Sequence, residues 1–168
     1  MKSKIAGIVT SLLVVMLVLG VSYALWSANL YVSGVVNTGT LSVAIEAGDG
    51  YDTEPEEKDV SCISAYVEGD TMYVTINNAY PCITYTQEFN VTNTGTIPVI
   101  VQSITFEGNA SEWVTVSGIS VGDQIEPEEE VMCYLIVHLD NSAEQGETYT
   151  FTVTILFVQW NEFVAPGE

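Results

Sequence analysis

Downstream of residue 24, wherever apolar side chains recur regularly, they recur at every second position. Trp26, Ala28, Leu30 and Val32, for example, alternate with Ser27, Asn29, Tyr31 and Ser33. A period of two places one set on a single strand face, and no segment here sustains the 3.6-residue period of a helix. The segments are rich in Val, Ile, Thr and Tyr and are broken by Gly, Asn, Asp and Pro, the composition of short strands joined by turns. Strands are expected over 25–36, 41–47, 83–92, 97–106, 113–117, 131–139 and 149–160, with a hairpin of 62–67 and 72–77 turning through Glu68-Gly69-Asp70. Residues 48–59 and 122–130 read as acidic loops, and 164–168 as a loose tail. About eight short strands at this spacing predict an all-β fold, a single Ig-like or jelly-roll-type β-sandwich. No repeat or linker divides it.

The first 24 residues follow a different pattern. Lys2 and Lys4 precede an apolar run over 5–21, which ends at Ser22-Tyr23-Ala24. A charged start, an apolar stretch and a small-x-small end make a secretory signal peptide, with Ser22 and Ala24 read by signal peptidase and Leu25 the first mature residue. The product is expected outside the cytoplasm, in contact with a membrane only before cleavage. An alternative is a type IV pilin processed after Gly7, in Lys4-Ile5-Ala6-Gly7, with the apolar helix retained. The length of the run does not decide between them.

Charge narrows the partners. The chain has no arginine, and its lysines are Lys2, Lys4 and Lys58. Without the first two, one lysine faces 22 carboxylates, a formal charge of −21. Such a surface repels nucleic acid and anionic lipid.

The residues for most catalytic chemistry are missing. His138 is the one histidine, so no multi-histidine metal site exists. There is no C-x-x-C pair and no glycine-rich phosphate loop, and nothing marks a serine placed against His138. An enzyme is not expected. Nor is a cofactor, although Asp49, Asp52 and Glu54, with Glu56 and Glu57, offer hard oxygens of the kind Ca²⁺ takes. Glu126 and residues 128–130 do the same. Neither segment has EF-hand spacing.

Cys62, Cys82 and Cys133 are an odd count for an oxidising compartment, so one pair plus a leftover, or an intermolecular bond, is expected. Cys133 lies in a strongly apolar strand and reads as a small buried hydrophobe. That favours Cys62–Cys82 as the bridge, with three free thiols as the alternative. Asn90-Val91-Thr92 and Asn109-Ala110-Ser111 are glycosylation sequons. Asn109, in a polar loop, is the better acceptor, because Asn90 falls inside a strand.

Several of these stretches, taken in order, resemble TasA/camelysin-type biofilm fibre proteins. Tyr23-Ala24-Leu25-Trp26-Ser27, then Val36-Asn37-Thr38-Gly39-Thr40-Leu41-Ser42-Val43, is similar to that family's processed N-terminus and first domain strand. Phe89-Asn90-Val91-Thr92-Asn93-Thr94-Gly95-Thr96 resembles its x-V-x-N-T-G hairpin, and Val158-Gln159-Trp160-Asn161 its closing strand. The version here, with Asn78-Ala79-Tyr80-Pro81, is most similar to archaeal relatives that build bundling pili. Ala28 departs from the acidic residue usual after the aromatic-Ser start. The metalloprotease activity attributed to some camelysins is not carried over, because H-E-x-x-H is missing.

The resemblance implies a homopolymer. Residues 1–24 would be removed. The arm, 25–36, would add as a donor strand to the sandwich, 37–168, of a neighbouring copy, with Trp26, Ala28, Leu30 and Val32 filling its groove. A head-to-tail, non-closing contact of this kind generates an extracellular filament. The expectation from another class is a monomeric surface adhesin or a calcium-dependent binding module.

Overall fold

The computed structural model describes residues 2–24, 28–55 and 57–165, with 20–24 described as backbone only. It separates into two compact units, Met1–Asn37 and Thr38–Glu168.

In the first unit, α1 (Lys2–Ala24) is a single apolar helix. Its span Lys2–Leu19 has a mean hydropathy of 1.9 and is long and apolar enough to cross a membrane, features that a signal sequence shares. The hydroxyls of Thr10 and Ser11 donate to the Ala6 and Ile8 carbonyls, so the helix presents almost no unsatisfied polar group along this stretch. Residues 28–37 form no helix or strand, although their alternation predicts one. Leu30 and Val32 are each 91% exposed. A strand has no internal hydrogen bonds, so alternation alone cannot hold an isolated segment in a sheet.

The second unit is mostly β. Its described residues form β1 (Val43–Asp52), β2 (Cys62–Glu68), β3 (Thr71–Asn77), β4 (Thr84–Asn93), β5 (Val99–Glu107), β6 (Val114–Ser117), β7 (Gln124–Ile125), β8 (Glu130–His138) and β9 (Thr152–Gln159), with a short 3₁₀ turn at Ser111–Trp113. They make three sheets: β1-β4-β8-β6, β2-β3 and β7-β5-β9. Every pairing is antiparallel.

The core joins the two larger sheets. Tyr85, Phe89 and Val91 of β4 and Cys133, Leu135 and Val137 of β8 share one apolar cluster with Val99 and Val101 of β5 and Ile125 of β7. Along β8 the pattern is strict: Cys133, Leu135 and Val137 are buried, and Met132, Tyr134 and Ile136 are not. Each β-branched or aromatic residue turned inward contributes roughly 1.5–3 kcal/mol when fully buried.

The strands depart from their expected limits in informative places. β1 runs on through Asp52, into the stretch read as an acidic loop, with a bulge between Ala47 and Gly50. The bulge is filled from the neighbouring strand. The Gln87 side chain, 1% exposed, donates from Nε2 to the Gly48 carbonyl at 2.8 Å and to the Glu88 carbonyl at 3.0 Å. The second acidic loop contains β7. The tail is tied down at its start, because the Gln102 carboxamide donates to the Val164 carbonyl at 2.8 Å and accepts from its N–H at 3.0 Å. Gln102 sits at the register shift of β5 against β9. The β2–β3 hairpin turns where expected, through Gly69 at φ +61° and Asp70.

Candidate functional site

Two of the sequence motifs meet at one junction. Asn93, fully buried at the end of β4, donates from Nδ2 to the Ile97 carbonyl at 2.9 Å and the Ile125 carbonyl at 3.0 Å, and its Oδ1 accepts from the Gly95 N–H at 2.9 Å. The side chain therefore pins the turn at 94–96 and ties β4 to the starts of β5 and β7. The turn in turn grips residues 40–42. The Gly95 N–H also donates to the Ser42 carbonyl (3.0 Å), the Thr96 N–H to the Thr40 carbonyl (2.9 Å), and the Thr40 N–H to Thr96 Oγ1 (2.9 Å). Gly95 has to be glycine because a Cβ there would lie 2.4 Å from the Thr40 carbonyl oxygen. The Thr38-Gly39-Thr40 and Asn93-Thr94-Gly95 elements, 55 residues apart, thus form one clamp at the root of the domain, just where the chain enters β1.

Beside that root lies a groove of about 920 Å³, formed within the second unit. Its sides are lined by unbroken runs of residues: 41–45 leading into β1, 70–74 at the start of β3, and 149–155 leading into β9. Successive residues of a strand point to opposite faces, so an unbroken run means that each strand is met along its edge. The pairings agree: among the described strands, β3 pairs only with β2, β9 only with β5, and β1 only with β4. The floor is apolar, with Phe89 and Val91 of β4, Leu135 of β8 and Val116 of β6.

The core is incompletely covered along the β5–β9 pair. Val99 and Val101 of β5 are fully buried, yet Ile104 further along is only partly so and Phe106 is 38% exposed. In β9 no residue is buried, although Val153, Ile155 and Phe157 pack against the core cluster. Half-buried aliphatic side chains beside unpaired strand edges are the surface that an added strand covers.

The residues singled out from sequence are scattered. Ser22 and Ala24 lie in the last turn of α1, whereas Leu25 and Trp26 lie outside the described residues. Ala28, Leu30 and Val32 are exposed in the arm. The Cys62–Cys82 bridge is not formed. All three cysteines are free, Cys62 and Cys82 exposed and Cys133 buried. Cys62 lies opposite Asn77 in the hairpin, and Cys82 is bound through its N–H to the Leu139 carbonyl and through its thiol to Asn141. Burial, with Asp123 nearby, pushes the Cys133 thiol up to about 11.

Asn109 is exposed, and its Oδ1 accepts from the Thr150 N–H at 2.7 Å, whereas Asn90 is half-buried in the central strand β4. Of the candidate Ca²⁺ ligands, Asp49 sits within β1 and Asp52 ends it, where its Oδ1 accepts from the Glu54 N–H at 2.9 Å. The Glu54 carboxylate is taken up by the N–H groups of Val60 (2.8 Å) and Ser61 (3.0 Å) and by the Ser61 hydroxyl. Partial burial pushes the Glu54 carboxyl up. The hydrogen bonds from Ser61, Val60 and Tyr80 outweigh that effect and hold it below the usual range. Among the described residues no three His, Cys, Asp or Glu side chains gather as metal ligands. His138, at the end of β8, has its Nδ1 2.9 Å from Thr84 Oγ1.

The resemblance implied a groove, but sequence reasoning did not find the residues that line it, because its walls come from three strands distant in the chain. The one local signal was the unusual apolarity of 149–160 for a strand at a sheet edge. In comparisons with known proteins, the chain matches no family model, no curated protein and no solved structure.

Proposed function

We propose that this protein is the secreted subunit of an extracellular filament, assembled head-to-tail by donation of the 25–36 arm into the groove of the next copy. The observation that carries the reading is the groove itself: an apolar floor beneath three free strand edges, in a chain whose own N-terminal arm alternates apolar and polar residues. The two large sheets are then an Ig-like or jelly-roll-type sandwich short of one strand. An arm laid between the edges of β3 and β9 joins the hairpin to the β7-β5-β9 sheet, and places Leu30, Val32 and their alternating neighbours over Phe89, Val91 and Leu135. Main-chain hydrogen bonds along both edges supply affinity, and the inward side chains supply specificity. One surface binds a different surface on the next copy, so the contact does not close and the polymer extends. The resemblance to TasA/camelysin-type fibre proteins and their archaeal relatives supports the same reading. The apolar helix α1 fits removal as a signal peptide on export.

The test is assembly of the processed chain, from Leu25 onward, followed by light scattering and electron microscopy. The wild-type protein should polymerise, and Leu30→Asp with Val32→Asp should remain monomeric and folded. Each substitution forfeits the roughly 1.5–3 kcal/mol of a buried aliphatic side chain and adds a charge that the apolar floor cannot solvate. A wild-type chain that stays monomeric at high concentration, with the arm packed in its own molecule, refutes the proposal. N-terminal sequencing of the exported protein gives Leu25 on this reading and Ile8 for a type IV pilin.

A further inference from the structure

Removal of residues 1–24 leaves, apart from His138 on β8, two cationic centres in the chain, the Lys58 ammonium and the new α-amino group at Leu25. Of these, only the α-amino group travels with the arm, because Lys58 belongs to the loop between β1 and β2. Among the groove's lining residues one side chain is charged, that of Asp70. It is exposed in the hairpin turn, directly after Gly69, where the free edge of β3 begins.

We propose that Asp70 of one copy receives the α-ammonium group of the arm donated by the next, so that signal cleavage creates the charge by which the arm is recognised. The inference rests on the strand-donation reading above and names the partner group at that same site. Its basis is charge complementarity in a confined place. The arm's side chains suit an apolar floor, but its leading end carries a charge that such a floor cannot accept unpaired. Asp70, at the exposed lip, is the position in the groove where an ammonium is both paired and hydrated. In an uncleaved chain the same nitrogen is a neutral amide between Ala24 and Leu25, so a precursor forgoes this contact.

The pairing makes recognition depend on pH. The other titratable side chains lining the groove are the phenols of Tyr73 and Tyr149. A free α-amino group titrates at about 7.7–8.0, and pairing with a carboxylate raises that value in the complex. The gain is therefore complete below the free value and is lost as pH rises through the bound one.

The experiment uses the processed chain carrying Leu30→Asp and Val32→Asp, which disables its own arm and leaves its groove intact. Two synthetic peptides of residues 25–36, one with a free N-terminus and one acetylated, each labelled at the C-terminus, are titrated by fluorescence anisotropy. At pH 6.5 the free peptide should bind about threefold to fivefold more tightly than the acetylated one, the upper part of the range of an exposed ion pair, with no difference at pH 9.5. Asp70→Asn should abolish the preference and leave binding of the acetylated peptide unchanged, which also reports that the variant is folded. Equal binding of the two peptides at pH 6.5, or a preference that survives Asp70→Asn, overturns the inference and leaves strand donation standing. If neither peptide binds, strand donation fails and this inference with it.

Discussion

Replacing Asn93 with Ala should cost this domain more than any other single polar substitution in the β unit. The side chain is fully buried and makes three hydrogen bonds of 2.9–3.0 Å, two donated to the Ile97 and Ile125 carbonyls and one accepted from Gly95. The Gly95 N–H keeps its second acceptor, the Ser42 carbonyl, so its loss is partial. The two carbonyls lose the donor that joins them. At about 1 kcal/mol net for each bond, with a further cost for leaving buried acceptors unpaired, the loss comes to about 2–4 kcal/mol. For a unit of this size, that lowers Tm by roughly 10 °C or more. The assay is thermal and urea unfolding of the processed chain, followed by tryptophan fluorescence. Hydrogen exchange at Thr40–Ser42 should rise in parallel, because those residues hang on the same turn. Asn93→Asp is the informative companion. It retains the acceptor for Gly95 but turns an oxygen toward two carbonyls, so it should be worse than Ala at neutral pH and recover partly in acid, as the carboxyl protonates. A loss below about 1 kcal/mol for Asn93→Ala would show that the clamp is dispensable, since that is no more than one ordinary hydrogen bond.

Other outcomes follow from the same geometry. Gly95→Ala should destabilise the β unit by about 1–3 kcal/mol, through overpacking against the Thr40 carbonyl, and loosen the exchange protection of Thr40–Ser42; unchanged protection would contradict the close approach. In native protein, iodoacetamide should modify two cysteines, Cys62 and Cys82, and reach Cys133 only after unfolding, a pattern read by mass spectrometry; a native adduct at Cys133 would refute its burial. Because hydrogen bonds hold the Glu54 carboxyl below its ordinary range, the folded state favours the ionised form. Its stabilisation is full above that ordinary range and is lost as pH falls through the lowered folded value. Wild type should therefore exceed Glu54→Gln in stability at pH 7, with the gap shrinking as pH falls below the ordinary carboxylate range, and a gap independent of pH would count against the hydrogen-bonded carboxylate.

Much of the fold could be read from residue order alone. Alternation in 62–77, 83–92 and 131–139 placed strands within a residue or two of their observed limits, because inward and outward positions of a pleated strand see different solvents. Cys133 was recognisable as a core residue for the same reason, and the N-terminal helix by its long, mostly apolar run. Local pattern carries no information about partners, and its failures follow from that. The arm alternates as a strand does, but its described residues, 28–36, form none, since extended backbone is stable only when hydrogen-bonded to another strand. β1 runs through acidic residues because β4 is there to pair with it, and Gln87 is there to fill its bulge. Cys62 and Cys82 were paired by elimination, whereas both are free thiols in the structure. The groove depends on tertiary structure most of all. Which strand edges stay free follows from the strand orders β1-β4-β8-β6, β2-β3 and β7-β5-β9, a property of long-range pairing that no stretch of sequence contains by itself.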